Sequence, residues 1–253
     1  MLLLQPTSVP SPQAIKCANM LMTRISSYQP VTSTPERQNS ETLSCGQAQL
    51  NNLKLNYKKT TEIIFSNRRS KRTFQIPTEI TGIVRVTSIK ILGVIITGSL
   101  SMSNHVQQLL SSCSQTLYAL KTLRAHGLST PALHNIYCSV ILAKLTYAAS
   151  AWSGFAKQTD NQRIDFFIKR SKRSGLCPPD IPDFEQLCYN CDTRLFNAIL
   201  TQNNHVLNRL LPPITIASTH YNLRSRFHDF ELPVRYNNLT DCNFLYRVLY
   251  RHY

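Results

Sequence analysis

The residues able to do chemistry in this 253-residue chain are defined first by a shortage. The first Asp is Asp160, and before it stand only Glu36, Glu41, Glu62 and Glu79, each isolated. Two-metal phosphoryl transfer needs carboxylates that converge on the ions. The first 159 residues offer almost nothing for that. Seven His are scattered, with no Ser/His/Asp or Cys/His arrangement to pair a nucleophile with its base. One metal-ligating candidate remains, Cys188-Tyr189-Asn190-Cys191. With Cys177 upstream and His205 downstream it supplies four ligands of the kind zinc takes. The spacing matches no ribbon, finger or knuckle, and metal ligation is not assigned. Both Cys also fit inside a helical pattern as two small buried thiols, the simpler outcome.

Cations, by contrast, are abundant. The 28 Lys+Arg outnumber the 13 Asp+Glu and give a net charge of +15. Such a field favours polyanions, nucleic acid first and an anionic membrane surface second. Two clusters are candidates. Arg68, Arg69, Lys71 and Arg72 form a basic turn, and Lys169, Arg170, Lys172 and Arg173 lie on a helical pattern with one apolar side. Facing phosphates, they would make sequence-independent, salt-sensitive contacts; otherwise they are solvated surface. The eight Cys lie too scattered for a disulfide framework and read as reduced thiols of a cytoplasmic or nuclear protein. Met1-Leu2-Leu3-Leu4 is too short for a signal peptide. No apolar run approaches the length of a bilayer span, so no membrane partner is expected.

These residues need elements to hold them. Residues 1–47 are rich in Ser, Thr, Pro and Gln and are expected to be a disordered polar tail, with a brief helical pattern from Ala14 to Tyr28. From Leu50 the texture becomes β-like. Thr61 to Phe65, Phe74 to Ile76, Thr78 to Val86 and Ser88 to Ile96 read as a meander of short strands. Residues 48–100 carry a net charge of +7. Ser88 to Ile96 is β-branched, with Gly93 near its centre, either a bulge in a buried strand or a place where a ligand can approach the backbone.

Helices follow. Ser103 reads as an N-cap, and Val106, Leu110, Cys113, Leu117 and Leu120 make one apolar stripe ending at Gly127. A second helix starts at Thr130-Pro131 and runs toward Trp152. A third begins near Asp160 and ends before Pro178. A fourth pattern covers Phe184 to Leu211, the stretch from Ile214 to Asn238 reads as irregular, and Phe244 to Leu249 forms a last short helix.

The order of these pieces resembles the reverse transcriptases of non-LTR (LINE-type, jockey-like) retrotransposons. The resemblance covers about residues 48–253. It runs from Asn52-Leu53-Lys54-Leu55-Asn56 through Lys59-Thr60, Ile63-Ile64-Phe65 and Ile89-Lys90-Ile91-Leu92-Gly93-Val94. Leu100 to His105 is similar to that family's "Leu-x-Trp-x-x-His" step, with Met102 where Trp is usual. Tyr147-Ala148 through Trp152 resembles its "Tyr-Ala-x-x-x-Trp" helix end, and Asn243 to Tyr250 its C-terminal tail.

The resemblance implies an α+β fold: a small antiparallel sheet, the remnant of a palm, then a mostly α-helical thumb bundle and a helical C-terminal extension. It divides the chain into a tail (1–47), a palm-end β meander with a primer-grip-like strand (48–100), a helical thumb (101–176) and the extension (177–253). It makes Leu92 and Gly93 a primer-grip hairpin that contacts a nucleic-acid backbone. Lys59 matches the motif-D Lys that acts as general acid toward the leaving pyrophosphate.

The intact family enzyme uses Mg²⁺ held by Asp residues, some in a Tyr-x-Asp-Asp turn. This chain contains no Asp-Asp pair. The catalytic palm is therefore expected upstream of Met1, and Lys59 has nothing to protonate unless a palm is supplied. The expected partner is RNA or an RNA–DNA duplex, with no small-molecule substrate, no cofactor in this chain and no polymerisation by the chain alone. Two other readings of the sequence stay open: a non-functional retroelement relic, and a basic adaptor with a Cys-based zinc site.

Overall fold

The structure is a computed structural model that describes residues 23–27, 60–65, 78–79, 82–202, 204–215, 228–235 and 238–251. It divides into two compact units. One comprises residues 1–89 and 97–100, the other residues 90–96 and 101–253. The fold is α+β, with small sheets preceding a series of helices, as the sequence implies.

The first unit holds strands β1 (Thr23–Ser27), β2 (Thr61–Phe65) and β3 (Val84–Val86) in the order β1-β2-β3. Both pairings are parallel, Thr23 opposite Thr61 and Thr61 opposite Val84. Two expectations are corrected here. Thr23–Ser27 lies inside the span expected to be polar tail with a brief helix, yet it is a strand. Consecutive strands of a meander would be antiparallel, whereas β2 and β3 run the same way. Parallel neighbours cannot be joined by a tight turn, and eighteen residues, 66–83, separate these two. A cross-strand pair fixes their register. Glu62 is buried opposite Arg85, whose Nη2 donates to Glu62 Oε2 at 2.8 Å.

Strands β4 (Ser88–Ile91) and β5 (Val94–Thr97) form the separate two-stranded antiparallel sheet. Only Leu92 and Gly93 connect them. Such a turn fits the right-handed twist of a hairpin when both residues have positive φ. Here Leu92 has φ +46° and Gly93 +90°.

In the second unit, α1 (Ser103–Ala125) buries Val106, Cys113, Leu117 and Leu120 of the expected stripe, and Leu110 packs partly buried against the same core. It stops at Gly127, φ +89°. Ser103 is not its N-cap. The cap position is Met102, and the Ser103 hydroxyl donates instead to Asp160 Oδ2 at 2.7 Å.

The next helix opens one residue earlier than expected, with Ser129 rather than Thr130 as its cap. It comprises α2 (Thr130–Ile136), a π-helical turn (Tyr137–Leu142) and α3 (Ala143–Thr146). The extra residue of a π turn rotates the helix downstream of it. Tyr137 sits in that turn fully buried, and burial raises its pKa above the usual phenol range. The helix does not run on to Trp152. Ala148, φ +50°, breaks it, and α4 (Ala149–Trp152) starts afresh.

Helix α5 spans Gln158–Arg173 and α6 Phe184–Thr201. A 3₁₀ turn (Val206–Leu210) replaces the end of the fourth helical pattern. Asp183 caps α6 by accepting from the Gln186 N–H. α7 (Asn238–Asp241) and α8 (Phe244–Leu249) complete the chain. Ile164, Phe167, Ile168, Leu133, Leu145, Trp152 and Phe184 share one core with the α1 stripe. A smaller cluster joins Phe196 to Val248 and Leu249.

What ties α8 to α6 is a buried ion network. Asp192 is 1% exposed. Its carboxylate accepts from Arg247 Nη2 at 3.0 and 3.1 Å and from Arg251 Nη2 at 2.7 Å. Arg247 also donates to the carbonyls of Cys242 and Ser150. Gly154 leaves room for that guanidinium, because a Cβ there would overlap Arg247 and the Cys242 carbonyl. Removing one partner strands buried charge, which costs about 3–5 kcal/mol. Asp192→Asn should therefore lower the unfolding free energy by about that amount in urea titration. A loss under about 1 kcal/mol would show that apolar contact alone holds α8.

Candidate functional site

The Leu92-Gly93 turn places a non-glycine residue in left-handed backbone at the surface. Left-handed backbone costs a β-substituted residue about 1–2 kcal/mol, and Asn-Gly is the pair that such turns prefer. Here the first position holds Leu, its side chain 83% exposed. Gly93 meets the second requirement without cost.

Two side chains grip this turn. The Tyr147 hydroxyl donates to the Leu92 carbonyl at 3.0 Å. The Tyr147 ring lies against Gly93, where a Cβ would stand 3.4 Å from it. The Ile95 N–H donates to His105 Nδ1 at 3.4 Å. Trp152 then joins the two anchors. Its indole N–H donates to the Tyr147 carbonyl at 3.0 Å, and its ring meets His105 edge to face, centroids 5.0 Å apart. Phe184 stacks against Trp152 at 5.7 Å. The turn is thus held at its carbonyl, its glycine and the N–H two residues on, while the Leu92 side chain projects into solvent.

His105 must leave Nδ1 unprotonated to accept that bond. Burial, and to a lesser extent the nearby Lys90 charge, lower its pKa from 6.5. Another cation has an unusual shell. Lys144 Nζ is half-buried and donates to Ser112 Oγ at 3.1 Å and Thr116 Oγ1 at 3.3 Å. Sequence reading passed over it, because one Lys within Ile141-Leu142-Ala143-Lys144-Leu145 carries no pattern. Met102, standing where the resembling family has Trp, is buried in the main core.

The basic helix α5 divides its cations. Lys169, Arg170 and Arg173 are exposed. Lys172 is not available for phosphate. Its Nζ donates to the Pro179 carbonyl at 2.9 Å and also to that of Ile181, so it holds the loop after α5. Lys59, Arg68, Arg69, Lys71 and Arg72 lie outside the described residues.

Cys188 and Cys191 both sit on α6. Burial pushes the Cys188 thiol up to about 12 and raises that of Cys191 as well. Burial favours the neutral thiol at both positions. Cys177 is buried with its thiol raised, and His205 Nδ1 accepts from the Leu207 N–H. Among the described residues no group of three or more His, Cys, Asp or Glu could hold a metal ion. Nor is any helix there long and apolar enough to cross a membrane.

Comparison with protein-family models, curated proteins and solved structures returned no match.

The turn's strain and its anchors can be separated. Leu92→Asn should raise stability by about 1 kcal/mol, since Asn tolerates left-handed backbone. Tyr147→Phe should lower it by about 0.5–1.5 kcal/mol. Opposite signs in paired thermal melts are the expected result, and like signs would contradict the geometry.

Titration of His105 gives a second handle. Its folded pKa lies below the unfolded 6.5, so its stabilising contribution is full above pH 6.5. That contribution falls as pH drops from 6.5 toward the folded pKa, because the unfolded chain then binds the proton first. His105→Gln keeps an acceptor without titrating and should flatten the decline between pH 7 and 5. An unchanged slope would exclude His105 as its source.

Proposed function

We propose that this chain is the primer-grip-to-thumb portion of a non-LTR retrotransposon reverse transcriptase. In this reading it contacts an RNA or RNA–DNA duplex through the nucleic-acid backbone and does not polymerise by itself. One observation carries the reading. Residues that resemble three separate stretches of that family, Leu92-Gly93, His105 and Tyr147 to Trp152, converge on a single turn. A turn whose backbone is clamped from one side and whose apolar side chain projects from the other suits a positioning element. Lys90 beside it and the exposed cations of α5 add the positive field that a phosphate backbone attracts.

The chemistry of polymerisation belongs elsewhere in this reading. Phosphoryl transfer on two Mg²⁺ ions needs convergent carboxylates. Glu62, on β2, is already paired with Arg85. Asp160 accepts from Ser103 and Arg163, and Asp192 from two Arg. Among the described residues no group of three or more His, Cys, Asp or Glu is placed to hold a metal ion, which argues against the zinc-adaptor alternative. A nuclear or cytoplasmic site of action follows from the substrate.

Filter binding of a 20-base-pair RNA–DNA duplex tests the contact. Affinity should fall steeply as salt rises from 50 to 200 mM, with a log–log slope near −0.9 for each phosphate engaged. Salt-independent binding, or none, overturns the reading. Primer extension with Mg²⁺ should yield no product, and synthesis by the purified chain would overturn the inactive assignment.

A further inference from the structure

Helix α5 carries an outward stripe that the hairpin does not explain. At 3.6 residues per turn, Gln162, Phe166, Lys169, Arg170 and Arg173 fall within an arc of about 100°. The opposite arc holds the buried Asp160, Ile164, Phe167, Ile168 and Ser171. Phe166 is 68% exposed, although its neighbour Phe167 is 5% exposed in the core. An aromatic ring left in water between an apolar face and a run of cations gains nothing from the fold.

The helix's own acids do not neutralise that stripe. Asp160 is buried, bonded to Ser103 and Arg163. Asp165 Oδ1 accepts from the Phe184 N–H at 2.8 Å and caps the approach to α6. Lys169, Arg170 and Arg173 have no carboxylate within ion-pair distance among the described residues. Arg170 lies 5.8 Å from the Phe167 ring centroid, which holds its guanidinium along the helix surface. Arg124 of α1 joins the same end by donating to the Ser174 carbonyl.

The helix C-terminus favours cations for its own reasons, through the negative end of its dipole. That accounts for Arg170, Lys172 and Arg173 in the last turn and leaves Phe166 unexplained. Exposed rings set among unpaired cations are how proteins hold unpaired nucleotides. The cations take the phosphates, and each base offers a face to stack on an aromatic side chain. A duplex cannot use the ring in this way, because its bases are stacked on one another.

We propose that the outward stripe of α5 binds single-stranded polynucleotide, with Phe166 as the stacking platform and Lys169, Arg170 and Arg173 as phosphate contacts. This rests on the reading of the chain as a nucleic-acid-binding protein, but assigns a separate surface and a strand without a partner.

The test uses the full chain, a fluorescein-labelled 20-nucleotide oligo(U) and a fluorescein-labelled RNA–DNA duplex of the same length, both by anisotropy. Phe166→Ala should weaken oligo(U) binding about 5- to 150-fold, the range for loss of one stacked base. Duplex binding should change less than about twofold under the same substitution. Lys169→Gln with Arg173→Gln should lower the oligo(U) salt slope by about 1.4.

A second variant reads stacking directly. Phe166→Trp should keep wild-type affinity, and oligo(U) should quench its emission. The native Trp152 is 1% exposed and serves as the unquenched reference. Equal losses for both ligands in Phe166→Ala, or an unquenched Phe166→Trp, overturn this inference and leave the duplex reading standing. Failure to bind either ligand overturns both. Binding to vesicles of phosphatidylserine in place of oligo(U), lost in Phe166→Ala, would assign the stripe to a membrane surface and overturn the proposal.

Discussion

The Trp152 indole ties together three separate parts of the second unit. Its N–H fixes the Tyr147 carbonyl, its ring supports His105, and Phe184 stacks on its other side. Through these contacts it joins the end of α3, the start of α1 and the start of α6. The hairpin turn depends on it only at one remove. Tyr147 can donate to Leu92 because Trp152 holds its backbone, and His105 can accept from Ile95 because Trp152 fixes its ring. A buried indole without a partner for its N–H would be costly. The break at Ala148, in left-handed backbone, is what frees the Tyr147 carbonyl from the helix ladder to provide one.

Charge follows a second constraint. A chain with 28 cations and 13 acids cannot pair its charges one to one. Five of the acids that the structure describes are committed to structure. Glu62 fixes the β2–β3 register, Asp160 joins α1 to α5, Asp165 and Asp183 serve the start of α6, and Asp192 holds α8. Each acid used inside leaves more cations unmatched outside. The positive surface of α5 is therefore a consequence of how the core and the helix ends are satisfied, as well as of composition. Lys172 shows the limit of counting charges, because its ammonium is occupied by two loop carbonyls.

Much of the helical architecture was legible. The apolar stripe of α1, its stop at Gly127, the Pro near the start of α2 and the short last helix all follow from local rules of spacing and capping. The run from Ser88 to Ile96 reads as one strand with Gly93 as a bulge, whereas it folds as β4 and β5 joined at Leu92-Gly93. Only the resemblance implied a hairpin, and the positive φ of Leu92 could not be read from a residue that ordinarily avoids it. The errors have physical causes. Thr23-Arg24-Ile25-Ser26-Ser27 has too few apolar residues to announce a strand, and it becomes one by adding to the edge of β2. Parallel pairing of β2 with β3 leaves no turn signature between them. Ser103 had the type of a cap, but the helix starts at Ser103 itself with Met102 at the cap position, and its hydroxyl donates to a buried carboxylate 57 residues away.

By itself, the sequence determined roughly where most of the helices start, the face that α1 buries, that the chain is cationic, and that it lacks the paired carboxylates of a two-metal enzyme. Those properties depend on residue type and on neighbours a few positions apart. Only the tertiary structure decided that Leu92, Tyr147, Trp152 and His105 meet, that Asp192 gathers Arg247 and Arg251, and that Phe166 stays in water beside Lys169, Arg170 and Arg173. These depend on pairs tens of residues apart and on which polar groups find partners first. In a low-dielectric interior an unsatisfied group is costly enough to settle such competitions, and local sequence spacing does not encode which partner wins.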